Sequence, residues 1–230
     1  DVFRISVYVP EKDLQFNEFL VRDEEPLLYH TGQIALFPEV HAAVKTLINP
    51  EHLRWIGFSH FESDECGALN RWLDIAPKAT TLTGQVAAAT CINDYAVRPP
   101  RVLIDGERIQ TGRHTFEFLA TPHVPHGWGA SLLFDHTEKI LFCSDLLLQH
   151  GNPAALSDSV LEDAVDALEK GQQGPFHDAI PYTSKTGSIF ARLAALAPQT
   201  LAIMHGASFK GDAARVLLQF EQELARVQAS

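Results

Sequence analysis

Trp55–Glu65 reads Trp-Ile-Gly-Phe-Ser-His-Phe-Glu-Ser-Asp-Glu, an apolar run that ends in a group of potential metal ligands. Residues 55–59 are typical of a strand. Directly after them, every second residue is a potential ligand: His60, Glu62 and Asp64. Alternate side chains of an extended backbone point to the same side, so we expect all three to converge on one point. Burying one imidazole and two carboxylates together is costly unless a cation neutralises them. The segment therefore predicts a metal site at a strand end.

Three further potential ligands follow later in the chain, each near the end of a predicted strand: His126, Asp145 and His205. The complete set holds three imidazoles and three carboxylates, which is enough for two metal ions. Asp145 can bridge two metals because its carboxylate has two oxygens. Two divalent ions would be neutralised by three carboxylates and one hydroxide, a balance that a partly buried site needs. Glu62 in place of an imidazole makes the ligand set harder, which favours iron or manganese over zinc.

The composition is that of an ordinary globular protein of 230 residues, with 46% apolar and 20% charged residues. Its length, without a repeat or a linker, predicts a single domain over residues 1–230. The net charge of -11 disfavours nucleic acid and anionic membranes as partners. The apolar runs are too short for a transmembrane helix. Three widely spaced cysteines without a Cys-x-x-Cys motif favour reduced thiols, and we expect a cytoplasmic protein.

The hydrophobic pattern predicts an α/β protein in which two packed sheets have helices on their outer faces. Strands are predicted at Phe3–Val9, Glu25–His30, Ile34–Phe37, Trp55–Phe58, Thr115–Ala120, Ser131–Phe134, Lys139–Cys143 and Leu201–Met204. Helices are predicted at His41–Leu47, Cys66–Trp72, Gln85–Asn93, Ser159–Lys170, Ser188–Leu196 and Asp212–Val227. Val102–Ile104 and Arg108–Gln110, on either side of Asp105-Gly106, read as a hairpin.

The ligand pattern resembles that of the metallo-β-lactamase superfamily. The hydrolytic branch of that superfamily carries His-x-His-x-Asp-His, whereas this chain has Glu62 at the second His position and Glu65 at the last. His-x-Glu-x-Asp is instead similar to the diiron branch, which includes flavodiiron proteins and oxygen-binding diiron proteins. The spacings to His126, Asp145 and His205 also agree with that branch. The resemblance implies an αββα sandwich of two mixed β-sheets flanked by helices.

The resemblance further implies a cofactor of two iron ions, Fe2+ or Fe3+, with a bridging oxo or hydroxo group. Its ligands would be His60, Glu62, Asp64, His126, Asp145 and His205. The expected function is that of a non-haem diiron protein that binds or senses dioxygen, or that reduces dioxygen, peroxide or nitric oxide. Flavodiiron proteins carry FMN in a flavodoxin-like domain. This chain shows no phosphate-binding Gly-rich loop, so we expect no FMN in it and an external reductase or a signalling partner. A homodimer is compatible with the resemblance.

A hydrolase of the same superfamily is the alternative, with zinc activating a water to cleave a thioester, a lactone or a phosphodiester. Glu62 argues against it because an additional carboxylate lowers the Lewis acidity of the metal. The Glu at position 65, where the hydrolytic branch has a His, argues in the same direction. Whether the chain is an enzyme at all stays open at this point.

Four residues near the ligands are candidates for a supporting role: His123, Glu65, Tyr182 and His150. His123 competes with His126 for one ligand position and otherwise could donate a hydrogen bond beside it. Glu65 could accept a hydrogen bond at the site or be an ordinary solvated residue at a helix N-terminus. Tyr182 could direct its phenol at a bound oxygen species, and His150 could overhang the pocket.

Overall fold

The first sheet contains the strands of the N-terminal half of the chain. The computed structural model describes residues 1–229. Six strands lie side by side in chain order: β1 (Val2–Val9), β2 (Leu14–Val21), β3 (Leu27–Tyr29), β4 (Trp55–Gly57), β5 (Thr80–Gly84) and β6 (Arg101–Leu103). The first three pair antiparallel, and β3 to β6 pair parallel, so the sheet is mixed.

The second sheet is also mixed and has seven strands in the order β11-β13-β12-β10-β9-β8-β7. These strands are β7 (Arg108–Gln110), β8 (Thr115–Ala120), β9 (Ser131–Asp135), β10 (Ile140–Ser144), β11 (Leu156–Ser157), β12 (Thr200–Ile203) and β13 (Ser208–Lys210). Strands β7 to β10 form an antiparallel meander, and β10 then pairs parallel with β12.

Helices form between the strands of both sheets. They are α1 (Phe37–Leu47), α2 (Ser63–Cys66), α3 (Leu69–Ile75), α4 (Gln85–Ala87), α5 (Asn93–Tyr95), α6 (Leu161–Gly171), α7 (Thr186–Ala195) and α8 (Ala213–Gln228), with a π-helical segment at Ala88–Ile92 that joins α4 to α5. Short 3-10 turns lie at Pro10–Lys12, Ile34–Leu36 and Pro50–His52. Within residues 1–229, no helix is both long and apolar enough to span a membrane.

Three apolar layers hold the elements together. Helices α1 and α3 bury residues such as Val44 and Trp72 against the outer face of the first sheet. Helices α7 and α8 do the same with Phe190 and Phe220 against the second sheet. Between the sheets lies a third, aromatic layer that includes Phe142. Because each sheet is covered on one face by helices and on the other by its neighbour, the fold is the predicted αββα sandwich.

Two predictions near the N-terminus are wrong. Ile34–Phe37 is not a strand, because Ile34–Leu36 forms a 3-10 turn that continues into α1. Pro38 lies in the first turn of α1, where the missing backbone N–H costs no hydrogen bond. Strand β2 escaped the sequence analysis because Gln15, Asn17 and Glu18 interrupt its apolar pattern, although all three are buried.

The predicted hairpin around Asp105-Gly106 is also wrong, because its two strands belong to different sheets. Strand β6 pairs parallel with β5 in the first sheet, and β7 pairs antiparallel with β8 in the second. The Asp-Gly turn therefore connects the sheets. This arrangement buries Leu103 and Ile109 in the layer between the sheets, which a free-standing hairpin could not achieve.

Candidate metal centre

The first three predicted ligands come from the link that joins β4 to α2. His60 and Glu62 precede the helix, and Glu62 has an extended backbone. Asp64 lies in the first turn of α2, which begins at Ser63. The expectation that all three ligands alternate along one extended segment is therefore wrong for Asp64. The helical turn nevertheless brings its carboxylate to the same place, because α2 packs at the end of β4.

The other three predicted ligands also follow strand ends, this time in the second sheet. His126 lies in the loop after β8, Asp145 directly follows β10, and His205 follows β12. The register between β10 and β12 shifts between Phe142 and Ser144. Such a bulge bends the strand and redirects the side chains that follow it. The sandwich thus brings the ligand loops of both sheets to one end of the molecule.

Asp145 lies at the centre of the cluster, and its two carboxylate oxygens face different histidines. Its Oδ2 is 3.4 Å from Nε2 of His60 and 3.5 Å from Nε2 of His126. Its Oδ1 is 3.2 Å from Nε2 of His205. The cluster therefore divides into two sub-sites that share Asp145.

Each sub-site has a further carboxylate of its own. Oε1 of Glu62 is 3.0 Å from Nε2 of His126 and 3.9 Å from Nε2 of His60. Oδ2 of Asp64 is 3.3 Å from Nε2 of His205. All six predicted ligands are thus brought together: His60, Glu62 and His126 lie on the side of Oδ2 of Asp145, and Asp64 and His205 on the side of its Oδ1.

Several polar atoms of the cluster form no hydrogen bond with their neighbours. Nε2 of His60, both ring nitrogens of His126 and Oδ1 of Asp145 are buried without a hydrogen-bond partner. Their short contacts lie within ion-pair distance, but the angles are not those of hydrogen bonds. Unpaired buried polar atoms are rare and costly in native proteins. The observation fits bound metal ions, and His60, His126 and Asp145 offer ligand atoms that all lie within 4.8 Å of one another.

The protonation of the cluster reflects its surplus of negative charge. Burial alone would lower the pKa of His205, but the carboxylates of Asp145 and Asp64 raise it to about 10. His126 and His60 lower the pKa of Glu62 to about 2. Without a metal the site would therefore hold a proton on His205, and a metal ion that binds there must displace it.

A layer of hydroxyl groups behind the cluster orients His60. Oγ of Ser59 lies 3.0 Å from Nδ1 of His60, 2.7 Å from Oγ of Ser144 and 3.1 Å from Nε2 of His30. Burial lowers the pKa of His30 to about 3, so this imidazole is neutral. Such contacts on the far nitrogen of a ligand histidine direct its Nε2 into the site. Neither serine was predicted to support the site, although each directly precedes a predicted ligand.

His205 is oriented by the backbone of the first sheet. Its Nδ1 donates to the carbonyl oxygen of Gln15 on β2 at 2.8 Å, which leaves the lone pair of Nε2 for the site. The ring of Phe16 lies edge-on to His205, with the ring centroids 5.1 Å apart. Strand β2, which the sequence did not predict, therefore holds one of the ligands in place.

Comparison with known proteins identifies the family to which this arrangement belongs. The model described as "ODP family beta lactamase" matches residues 14–206, which include all six predicted ligands. The chain belongs to the ODP family. Family membership agrees with the resemblance to the metallo-β-lactamase superfamily that the ligand pattern indicates.

Relatives of this ODP-family chain include two curated enzymes. It is 24% identical over 201 residues to the rubredoxin-oxygen oxidoreductase of Megalodesulfovibrio gigas, covering 85% of this chain and 49% of that protein. It is also 24% identical over 225 residues to a nitric oxide reductase of Moorella thermoacetica, covering 94% of this chain and 54% of the relative. The chain thus spans about half the length of these relatives.

The solved structure of the flavodiiron protein from Giardia intestinalis has the same fold. It superimposes with a TM-score of 0.81 at 14% identity, covering 96% of this chain and 57% of that one. The likeness confirms the two mixed sheets flanked by helices.

Among the four predicted supporting residues, Glu65 is the one that contacts a ligand directly. It is fully buried, and its Oε1 lies 3.5 Å from Nε2 of His60. His123 helps to shape the loop that presents His126, because its backbone N–H donates to the carbonyl of Gly127 at 2.8 Å. This placement favours His126 over His123 as the ligand.

The other two supporting residues lie farther out. His150 is exposed and lines the cavity over the centre. The hydroxyl of Tyr182 donates to Glu221 of α8, and the residue does not belong to the cavity lining. Its position therefore does not support a role at a bound oxygen species.

A cavity of about 640 Å³ opens over the metal centre of this ODP-family chain. Ligand residues of both sub-sites form its floor, and apolar side chains of α6, α8 and β2 form much of its wall. These wall residues include Leu14, Phe16, Ala164, Leu168 and Phe220. Among the described residues that line the cavity, Lys12 is the basic side chain other than histidine. The ligands therefore face an accessible, mostly apolar space, and a small molecule can reach them.

Proposed function

We propose that this chain is a non-haem diiron protein that binds dioxygen or nitric oxide and reduces it when an external donor supplies electrons. The proposal assigns His60, Glu62, His126 and Oδ2 of Asp145 to one iron. It assigns Asp64, His205 and Oδ1 of Asp145 to the other. Two irons held there would supply one electron each and open coordination positions for the small molecule.

The observation that carries the proposal is the division of Asp145 between two sets of ligands. A single metal would need one oxygen of that carboxylate, whereas both oxygens here face histidine nitrogens, at 3.4 and 3.2 Å. The additional carboxylate of Glu62 favours a harder ion than zinc at the first sub-site. The relatives named above, an oxygen oxidoreductase and a nitric oxide reductase, support the same chemistry.

The side chains of the chain would hold the irons and control access to them. Ser59 and the carbonyl of Gln15 fix two histidines so that each Nε2 faces the site. The apolar side chains around the cavity favour a neutral diatomic gas over an ion. Binding and orientation are thus the work of the protein, and the redox chemistry is that of the metal.

Electrons would come from a partner in this proposal. The name of the relative rubredoxin-oxygen oxidoreductase pairs oxygen with rubredoxin, a separate protein, which supports an external donor here. We propose an external reductase or a signalling partner for this chain, a single domain over its length, and no FMN within it. A homodimer and a cytoplasmic location belong to the same proposal.

Elemental analysis and optical spectra of protein purified without air test this function. We expect about two irons per chain, and a new visible band when the reduced protein meets dioxygen. A colourless protein that does not respond to air, or that holds a single metal, would contradict the proposal. The hydrolase alternative would then be examined with a substrate screen.

One observation favours that second candidate, a zinc hydrolase of a thioester, a lactone or a phosphodiester. The cavity of about 640 Å³ is far larger than a diatomic molecule requires and would admit an organic substrate. Zinc in the purified protein together with hydrolysis of a model thioester would support the hydrolase. Iron without hydrolysis would exclude it.

A further inference from the structure

Glu65 is the buried carboxylate at the centre that the six-ligand assignment leaves unexplained. Its side chain is 0% exposed, and neither of its oxygens has a hydrogen-bond partner. A carboxylate in this position is costly to bury unless a proton or a cation neutralises it.

The backbone around Glu65 fixes its direction. The carbonyl oxygen of Glu65 accepts the N–H of Thr31 at 2.7 Å, and the N–H of Ala68 donates to the carbonyl of Gly32 at 2.9 Å. These bonds attach α2 to the loop after β3. The side chain is thereby held on the inner side of α2, where its Oε1 comes within 3.5 Å of Nε2 of His60.

No Lys or Arg among the described residues lies within 4.0 Å of this carboxylate. Among residues 1–229, His60 is the one basic side chain within 4.0 Å of it, and the Nε2 of His60 is itself buried without a partner. Ligand atoms of His60, Glu62 and Glu65 lie within 4.8 Å of one another, which is a spacing that a single ion can span. The unpartnered atoms of His60 and Glu65 thus lie beside the carboxylate of Glu62 around one point.

We propose that the carboxylate of Glu65 is a direct metal ligand, the seventh of the centre, on the side of His60 and Glu62. The assignment rests on the proposed two-metal function and deepens it. With Glu65, four carboxylates balance two divalent cations without a hydroxide from solvent. The ligand set becomes three nitrogens and four carboxylates, which favours Fe2+ or Mn2+ over Zn2+ more strongly than six ligands do.

The test compares Mn2+ affinity in Glu65→Gln and Glu18→Gln, measured without air by competition with a chelator. The amide keeps the shape of the side chain but removes its charge. Glu18 on β2 is a suitable control because it is equally buried and both its oxygens lack hydrogen-bond partners. It also interacts electrostatically with Asp64 and His205. Unlike Glu65, it does not belong to either group of converging ligand atoms among the described residues.

We expect Glu65→Gln to weaken Mn2+ binding at least tenfold and Glu18→Gln to change it less than threefold. Glu65→Gln would remove a group that contacts the metal, whereas Glu18→Gln would remove only a nearby charge, so the first loss should be larger. Equal losses in the two variants would overturn the proposal, since they would show a general effect of charge. A Glu65→Gln variant that binds Mn2+ like the wild type would show a protonated acid and would overturn it too.

A second variant keeps the proposal testable if Glu65→Gln does not fold. Glu65→His replaces the carboxylate by an imidazole, and we expect Zn2+ affinity to be retained while Mn2+ affinity falls at least tenfold. Unchanged preference between the two metals would contradict direct ligation. Wild-type protein that binds no metal would contradict both this proposal and the proposed function, whereas two metals in the wild type with unaltered variants would overturn only the role of Glu65.

Discussion

The molecule contains two pairs of histidine and aspartate near opposite ends of β8, and they differ in how their polar atoms are used. At the start of β8, Nδ1 of His114 lies 2.7 Å from Oδ2 of Asp135, and Oδ1 of Asp135 accepts the N–H of Thr137 at 2.9 Å. Beyond the end of β8, His126 and Asp145 lie close together, yet atoms of both are buried without a hydrogen-bond partner.

The difference distinguishes a structural pair from a ligand pair. Both residues of the pair at the start of β8 are 0% exposed, and they satisfy each other. The side chains of His126 and Asp145 are 21% and 10% exposed, and their buried polar atoms without hydrogen-bond partners face shared points. The residue types are the same in the two pairs, so the unpaired buried atoms are what indicates a metal site.

The largest expected effect is the loss of metal in Asp145→Ala. This substitution removes the oxygens that both sub-sites share, so we expect the metal content after anaerobic loading and desalting to fall from about two ions per chain to less than one. Elemental analysis measures the content. Asp135→Ala is the matched control and should keep both metals. Retention of two metals in Asp145→Ala would invalidate the comparison.

Asp135→Ala should keep its metals but lose stability. Removing Asp135 leaves the buried Nδ1 of His114 without its partner, and we expect the free energy of unfolding to fall by about 3 kcal/mol. Urea denaturation of the metal-free protein measures this change. If stability were unaffected, the pair at the start of β8 would not have the structural role that its hydrogen bonds indicate.

Much of the site was predictable because its ligands follow strand ends in a fixed order. The meeting of the six predicted ligands could be inferred from that order, and the αββα sandwich from the resemblance that the same ligands carry. Asp64 shows the limit of a local pattern, because the chain becomes helical at Ser63 although the alternation continues in the sequence. The convergence of the ligands was thus predicted correctly, while the backbone geometry behind it was not.

The missed features depend on contacts between distant parts of the chain. The polar residues of β2 look out of place in a strand until their partners are known: the amide of Asn17 donates to the carbonyls of Ile203 and Gly206, both at 2.9 Å. Likewise, β6 joins the first sheet because it pairs with β5, not with the nearby β7. A local hydrophobic pattern carries no information on such pairings.

A smaller effect is expected from Ser59→Ala, which changes the support of a ligand and not a ligand itself. The hydroxyl lies between His30, His60 and Ser144, so its loss should let the imidazole of His60 rotate. We expect metal affinity to fall about tenfold, in keeping with other residues behind metal ligands. Chelator competition measures the affinity, and Ser6→Ala on the exposed side of β1 is a suitable control.

Acid should weaken metal binding more gradually. Because carboxylates raise the pKa of His205 to about 10, this imidazole is protonated in the metal-free protein at neutral pH. Its extra proton binding stabilises the metal-free fold fully below the unfolded pKa of about 6.5, and this contribution is lost as pH rises through about 10. Each displaced proton should therefore lower Mn2+ affinity about tenfold per unit of falling pH between pH 8 and 7. An affinity independent of pH would show that no proton is displaced.

The arrangement of two metals around Asp145 can be tested most directly by crystallography of protein loaded with iron without air. Anomalous scattering near the iron absorption edge locates each ion independently of the protein atoms. We expect two peaks, one beside Oδ2 of Asp145 with His60 and His126, and one beside Oδ1 with His205. A single peak in fully loaded protein, or two peaks that do not share Asp145, would contradict the two-metal assignment.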